Sequence, residues 1–564
     1  MATREQWLAA VDKVLKGKDF DRTLVSTTLD GLRIEPLYTE GPTAQDESGF
    51  PGFEPLLRGA HVEPRPSGNW DIRTRVVHPD IATANAQLLE DLANGATSVE
   101  VLLDLGAGEG VSIRSKEDLA RVLDGVVFDA AAVSLRAGAH GALVASWFRE
   151  LAPDAMGNLG VDPIGALVTT GEADLTLPEP GTPRLRTFLA SGAPASDAGA
   201  SEAQEIGYIL AVALHYLRET GAPPALEVTA DVDLFATVAK IRALRHCWAT
   251  VLREMDQPQD SAQILAVSAD RWLTEVDPWV NILRGTAATV GAIVGGADSL
   301  TLAPFDSAAG LPGELGRRLA RNTQLILQDE SGIGRVLDPA GGSWYLETFT
   351  DELAAAGWKF FQRIEAAGGI LEALDEVGAD IAVVADRRDD QIATRKHPIT
   401  GVSEFPLLDE QRPDPVPVPE TDSRPAIPVN GTRATIWPRR RLAEPYEELR
   451  EQEGTVFLAN LGPIAVHTAR ATFASNLFAA GGIRAVTGDG EVTEAFKASG
   501  APIACICSSD DVYAEQAEAT AAALKAAGAK RVYLAGKGDY PSVDEYVHLG
   551  VDALDVLTRA EALR

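Results

Sequence analysis

The chain has 564 residues, 45% of them hydrophobic, which is too long for one compact core, so two or more domains are expected. A net charge of −32 lacks the basic footprint that a nucleic-acid backbone requires and gives no hold on an anionic membrane surface. No uncharged stretch approaches the ~20 residues of a membrane span. The opening "MATREQWLAAVDKVLKGKDF" has no signal-peptide core, and Cys247, Cys505 and Cys507 form neither a disulfide framework nor a CxxC pair, so a cytoplasmic location is expected.

In chain order, residues 4–16 place Trp7, Val11, Val14 and Leu15 on one helical face. "LVSTTLDGLRIEPLY" predicts two strands around Asp30-Gly31, a hairpin signal. Residues 39–70 are loop-like, so 1–70 are expected to form an arm that contacts another surface. Strands and helices then alternate. "SVEVLLDL" (98–105), "AAVSLRAG" (131–138), "LRTFLAS" (185–191), "AQILAVSA" (262–269) and "ADSLTLAP" (297–304) read as strands. Residues 115–123 read as a helix with Ser115 as N-cap and Asp118 at the capping-box position, and 201–221 and 237–255 as long helices. The alternation predicts an α/β fold, a (β/α)₈ TIM barrel, with a doubly wound sheet as the alternative.

The barrel with a C-terminal helical extension is expected over 71–408, with 314–375 mostly helical. A Pro-rich linker without apolar period is expected over 409–441, and a flavodoxin-like domain over 442–564. In that last domain "TVFLANL", "IRAVTGD", "IACICSS" and "RVYLAGK" read as strands. Alternation turns Cys505 and Cys507 to one face, as buried thiols; a redox pair is the lesser reading.

Chemistry is sparse. The eight histidines show no metal-site spacing, so no metal is expected. "LLDLGAGEG" (102–110) has the acid and glycine turn of an S-adenosylmethionine methyltransferase loop, but a helix should follow it directly and "VSIRS" intervenes. A βα loop needing positive φ accounts for it. His467, in "GPIAVHTARATFASNLFAAGG" (462–482), stands at a strand–loop–helix junction and is the one histidine placed like a ligand.

Several stretches together resemble one family, the cobalamin-dependent methylmalonyl-CoA mutases. "RLARNTQLILQDESGIGRVLDPAGGSWYLE" (318–347) is similar to the family's segment after the barrel. "FEPLLRG" with "NWDIR" (53–59, 69–73) resembles the stretch entering it, and "LRGTAATVGAIVGGADSLTLAPFD" (283–306) the last barrel strand and its helix. The resemblance runs from about Leu24 to the C-terminus. It implies an N-terminal arm, a barrel whose axis takes the acyl-CoA chain, and a cobalamin-binding-type C-terminal domain, which is degenerate here.

The resemblance also marks losses. The family's DxHxxG, whose His binds cobalt and whose Asp orients it, here reads Ala465, His467 and Arg470. A Tyr-His pair of the active site is replaced by Ala193 and Pro194, and an active-site Tyr by Arg65. In "AIVGGADSLTLA" (292–303), Val294, Thr301 and Ala303 replace Gln, His and Asn. A proline donates no proton, and losing one general acid costs a factor of ~10²–10⁴ in rate. The resemblance therefore implies the small, non-catalytic subunit of a heterodimeric mutase. A large subunit would hold the adenosylcobalamin, and no cofactor is expected in this chain. An acyl-CoA mutase with relocated catalytic groups is the alternative, and a methyltransferase using the 102–110 loop the third reading.

Overall fold

The structure is a computed structural model; it describes residues 3–39, 49–54, 56, 58–59, 70–106, 108–258, 262–414, 416–419 and 423–563. The chain divides into two units. One comprises residues 1–271, 282–385 and 415–440, and the other 272–281, 386–414 and 441–564.

In the first unit eight parallel strands close on themselves: β1 (Asp71–Val76), β2 (Ser98–Asp104), β3 (Ala132–Arg136), β4 (Gly157–Val161), β5 (Leu185–Ser191), β6 (Ala225–Ala230), β7 (Ile264–Ser268) and β8 (Ser299–Thr301). Each pairs with its sequence neighbour, and β8 returns to β1 with Ser299 opposite Asp71 and Thr301 opposite Arg73. This is the expected (β/α)₈ barrel. Strand alternation sends Val99, Val101 and Leu103 outward into the main core, with Ile72, Val133, Leu135, Leu226 and Val228. The intervening positions, Arg73, Arg75, Ser98, Glu100, Arg136 and Glu227, therefore face the axis.

β1, β4 and β6 are absent from the sequence-based strand assignments. "DIRTRV" and "GNLGV" lack a continuous apolar run, since their alternate positions are charged or small. Local signals at the helices did carry through. Ser115 caps the helix Lys116–Val122, but Asp118 does not close the box: its carboxylate accepts from the Arg114 backbone N–H at 2.9 Å. Ser201 and Gln204 form a full capping box on Glu202–Thr220, which ends at Gly221 in the left-handed region.

The arm begins with the helix Arg4–Leu15, of which only Leu15 is buried. The expected hairpin is present: Ser26–Thr27 pairs antiparallel with Arg33–Ile34. It is pinned to the barrel, because the Asp30 carboxylate accepts from the Ser201 hydroxyl and from the Ala203 N–H at the start of Glu202–Thr220. The segment similar to the mutases forms the helices Glu314–Asp329 and Trp344–Ala366. Its polar side chains are spent on docking them: Gln324 accepts from the Trp70 indole at 3.0 Å, and Arg321 pairs with Asp91.

The Pro-rich stretch is not a free spacer. Of its described residues, 416–419 and 423–440 belong to the barrel unit, and 409–414 and 441 to the other. Ile427 donates to Leu105 O at 2.9 Å, Thr432–Arg433 pairs with Glu172–Ala173, and Trp437 is buried against Tyr208. Prolines remove donors, so this segment joins a sheet only at the short Thr432–Arg433 pairing and is otherwise held by carbonyls and side chains.

The second unit contains a five-stranded parallel sheet: β9 (Gly454–Asn460), β10 (Ile483–Val486), β11 (Ile503–Cys507), β12 (Arg531–Ala535) and β13 (Glu545–Val547), in the order β10-β9-β11-β12-β13. This is the flavodoxin-like order, with its switch point between β9 and β11. Cys505 and Cys507 are buried on β11 with sulfurs 4.0 Å apart, and burial pushes the Cys505 thiol well above its ordinary range. Among the described residues no helix is long and apolar enough to cross a membrane.

Candidate functional site

Two places are candidates: the barrel interior with its C-terminal rim, and the C-terminal edge of the small sheet.

Inside the barrel Arg75, Glu100, Arg136 and Glu227 form one connected network. Arg75 on β1 donates to Glu100 on β2 at 2.6 Å, and Arg136 on β3 donates to the other Glu100 oxygen at 2.9 Å. The second arm of Arg136 pairs with Glu227 on β6, whose remaining oxygen accepts from the Ser191 hydroxyl on β5 at 2.6 Å. Strands β3 and β6 are three apart in an eight-stranded ring, so the Arg136–Glu227 pair spans the axis. Burial alone would raise the Glu100 carboxyl. The guanidinium groups of Arg75, Arg136 and Arg73 outweigh it and hold the group well below the usual carboxylate range.

At the rim, β5 runs into the short helix Ala193–Asp197, which carries Ala193 and Pro194. The loop is fastened by Arg271, which pairs with Asp231 and donates to the carbonyls of Ser196 (3.3 Å) and Ala200 (3.0 Å). Neither Ala193 nor Pro194 offers a side-chain donor there. Thr301 ends β8, and the Ala303 N–H donates to Ser268 Oγ at 2.8 Å. Val294 does not join this group: it closes the helix Val280–Val294, packed outside the barrel against Val238, Ala340 and Leu346. The reason is topological, since that helix carries the chain back toward the N-terminal end of β8. Arg65 lies outside the described residues.

The Pro-rich strap crosses the same rim. Arg439 pairs with Asp270 after β7 at 2.7 Å, and the Arg440 N–H donates to Asp197 O at 2.9 Å. His140 Nε2 lies 2.9 Å from Ile427 O. The glycine loop at 102–110 serves this strap. The Asp104 carboxylate accepts from the N–H groups of Gly106 (2.6 Å) and Gly108 (2.9 Å) within its own turn. Gly106 has φ +126°, and a Cβ there would meet Ala426 at 2.1 Å. The loop's acid and its glycine are thus both committed to local structure, as the βα-loop reading expects.

Burial and the neighbouring Asp270 push Asp197 up to about 7, against the pull of Arg439, Arg271 and Arg75. In an unfolded chain this carboxyl titrates near ~3.9. Between about 4 and 7 only the unfolded state releases the proton, so this group's effect on stability worsens as pH rises and is most adverse above about 7. Asp197→Asn is expected to gain about 2–3 kcal/mol over wild type on going from about pH 5 to 8. Calorimetric unfolding across that range checks it; a pH-independent difference would contradict the assignment.

In the small domain His467 stands on a helix, not in the expected loop. The helix Ile464–Ala480 starts directly after Pro463, so Ala465 and His467 lie in its first turn rather than in a loop. His467 is half-buried, and its Nδ1 has no hydrogen-bond partner among the described residues. Arg470, one turn on, reaches across the C-terminal edge of the sheet. It pairs with Asp510 at 2.6 Å and lies 4.9 Å from the Tyr513 ring centre. A Cβ on Gly536, at the end of β12, would meet Arg470 Nη1 at 2.9 Å. Tyr513 in turn donates to Ala535 O at 2.8 Å. The crevice where such a domain takes its ligand is occupied by a side chain. No carboxylate stands two residues before His467, so these residues do not fit a cobalt-ligating histidine with an orienting acid.

The interior ion network and Arg271 are absent from the sequence-based site assignments. The network's signal was a charge at an inward position of an otherwise apolar strand, as in "SVEVLLD", "AVSLR" and "ALEVTA". Such a charge must find a partner, but nothing local names it.

A family model described as methylmalonyl-CoA mutase matches residues 27–158 and 177–430. The chain is 46% identical to a methylmalonyl-CoA mutase small subunit of Streptomyces virginiae, over 99% of this chain and 96% of that one. It is 35% identical to the small subunit from Propionibacterium freudenreichii subsp. shermanii, over 99% and 94%. A mitochondrial methylmalonyl-CoA mutase of Bos taurus is 28% identical over 74% of this chain and 63% of its own length. With more than half of its residues inside the matched family model and its near-full-length relatives carrying one name, the chain belongs to the methylmalonyl-CoA mutase family, whose reaction depends on adenosylcobalamin.

Proposed function

We propose that this chain is the small, structural subunit of a heterodimeric methylmalonyl-CoA mutase. In this reading it is itself non-catalytic and supports, in the cytoplasm, a large subunit that holds adenosylcobalamin and interconverts (R)-methylmalonyl-CoA and succinyl-CoA. One observation carries this: the Arg136–Glu227 pair lies across the barrel axis, along which the acyl-CoA chain of a catalytic member would run. Breaking this pair to admit an uncharged chain would leave the buried Glu227 carboxylate with the Ser191 hydroxyl alone, a cost of several kcal/mol. The Pro194 position and the side chain of Arg470 in the crevice support the same reading. The names of the relatives in Streptomyces and Propionibacterium support the partner.

The test is an absorbance titration of the purified chain with adenosylcobalamin, together with turnover assays. The expected results are no stoichiometric spectral change, no turnover by the chain alone, and copurification with the large subunit. A stoichiometric shift to histidine-ligated cobalt, or mutase turnover by the isolated chain, would favour the reading with relocated catalytic groups.

A further inference from the structure

A groove of about 580 Å³ lies on the flank of the barrel unit, between arm residues Ile34–Tyr38 and Gly342–Tyr345. Its walls are aromatic. The Tyr38 and Tyr345 rings are 5.2 Å apart, Phe235 meets Tyr345 edge-on at 5.6 Å, and Phe349 stacks behind Tyr345 at 5.8 Å. Trp344 and Phe235 remain 47% and 50% exposed. Single exposed apolar side chains are ordinary on a soluble protein, but a cluster of touching rings around an open cavity marks a binding surface.

The charges around the rings are mostly negative. Tyr345, Phe349 and Glu352 follow at i, i+4 and i+7 on the helix Trp344–Ala366, so they share a face. The Tyr38 hydroxyl senses both Glu352 and Glu35, and that of Tyr345 senses Asp233. Burial and adjacent Asp351 raise the Glu352 carboxyl above its usual value. Arg33, a cation that acts on Tyr38, is already divided between Asp21 and Glu35 at 2.7 and 2.6 Å. Aromatic faces and carboxylates together select a cation with an apolar stem.

Resting on the heterodimer reading above, we propose that this groove receives an arginine or lysine side chain of the large subunit, held against Tyr38, Trp344 and Tyr345 and facing the carboxylates of Glu35 and Glu352. The groove is part of the interface between the subunits, with the arm supplying one wall and the barrel unit the other. Charge complementarity chooses this occupant over a second copy of the chain, whose net charge of −32 opposes self-association.

The test measures the affinity of the full chain for its cognate large subunit by biolayer interferometry, with sedimentation of each chain alone. Trp344→Ala and Glu352→Lys are each expected to weaken the complex about tenfold or more, with melting temperatures at the wild-type value. Binding of the wild type is expected to weaken as salt rises. Glu352 is exposed, so Glu352→Lys decides the matter alone if Trp344→Ala does not fold. A folded Glu352→Lys chain binding within threefold of wild type overturns the groove assignment while leaving the heterodimer intact. A wild-type chain that does not bind the large subunit overturns both. A homodimer lost on Trp344→Ala overturns the choice of occupant.

Discussion

Arg136→Met is expected to lower the unfolding free energy of the barrel unit by about 3–5 kcal/mol, the cost of removing one partner from a buried ion pair. The side chain serves two carboxylates at once, Glu100 and Glu227, which are only 1% and 3% exposed. Glu100 retains Arg75, but Glu227 is left with the Ser191 hydroxyl alone. The double variant Arg136→Met, Glu227→Gln is therefore expected to recover part of the loss, because no orphaned charge remains. The pH dependence has a definite sign. Glu100 is held below its usual range in the folded state, so its contribution is present above about pH 4 and is lost as pH falls further. The gap between wild type and Arg136→Met should narrow in acid. Scanning calorimetry of the four chains of the cycle measures this; additive losses, or a single variant that melts with wild type, would remove the axial pair as a stabilising element.

Arg242→Met is expected to cost about 3 kcal/mol or more by the same mechanism, in a different place. Arg242 is 1% exposed on the helix Leu234–Glu254 and pairs with both Asp338 and Glu347. Arg58 also reaches Asp338 at 2.7 Å, and Glu347 accepts from the Gly342 N–H at 2.9 Å. One cation thus ties "LDPAGGSWYLE" to the barrel's helical layer and, through Asp338, to the arm. The predicted consequence is local as well as global: 338–347 should become more open to proteolysis than in wild type at equal temperature. If the variant unfolds at the wild-type midpoint and is cleaved at the wild-type rate, the segment is held by apolar packing instead. This role explains why the segment is preserved in a chain whose other family positions differ. Its polar residues do docking work that does not depend on catalysis.

The expected site divides by physical range. Ala193 and Pro194 stand at the rim because the end of a barrel strand is where a βα loop must lie, and that followed from the strand pattern. Val294 was grouped with them by resemblance to a polar stretch, yet it sits on the helical layer, since alternating strand and helix sends successive segments to opposite ends of the barrel. His467 was placed at a strand–loop–helix junction because an apolar run precedes it and an amphipathic segment follows. The helix begins one residue after the proline, whose fixed φ suits a helix start as well as a loop. The linker was read from composition, and composition registers the missing donors but not the carbonyls and side chains of the barrel rim that hold the segment.

The sequence by itself determined the fold class and much of the local structure: period-two and period-3.6 patterns, the Ser115 cap, the turn at Asp30-Gly31 and five of the eight barrel strands. Each arises from residues a few positions apart, so a linear reading captures them. Only the tertiary structure decided what fills the barrel. Arg136 and Glu227 are 91 residues apart in sequence, and they meet because ring closure places β3 and β6 on facing sides of the axis. Arg439 and Asp270, 169 residues apart, meet because the strap is laid across that ring. A buried charge announces in sequence that it needs a partner; which partner it takes is set by closure of the sheet, a long-range event that no local pattern encodes.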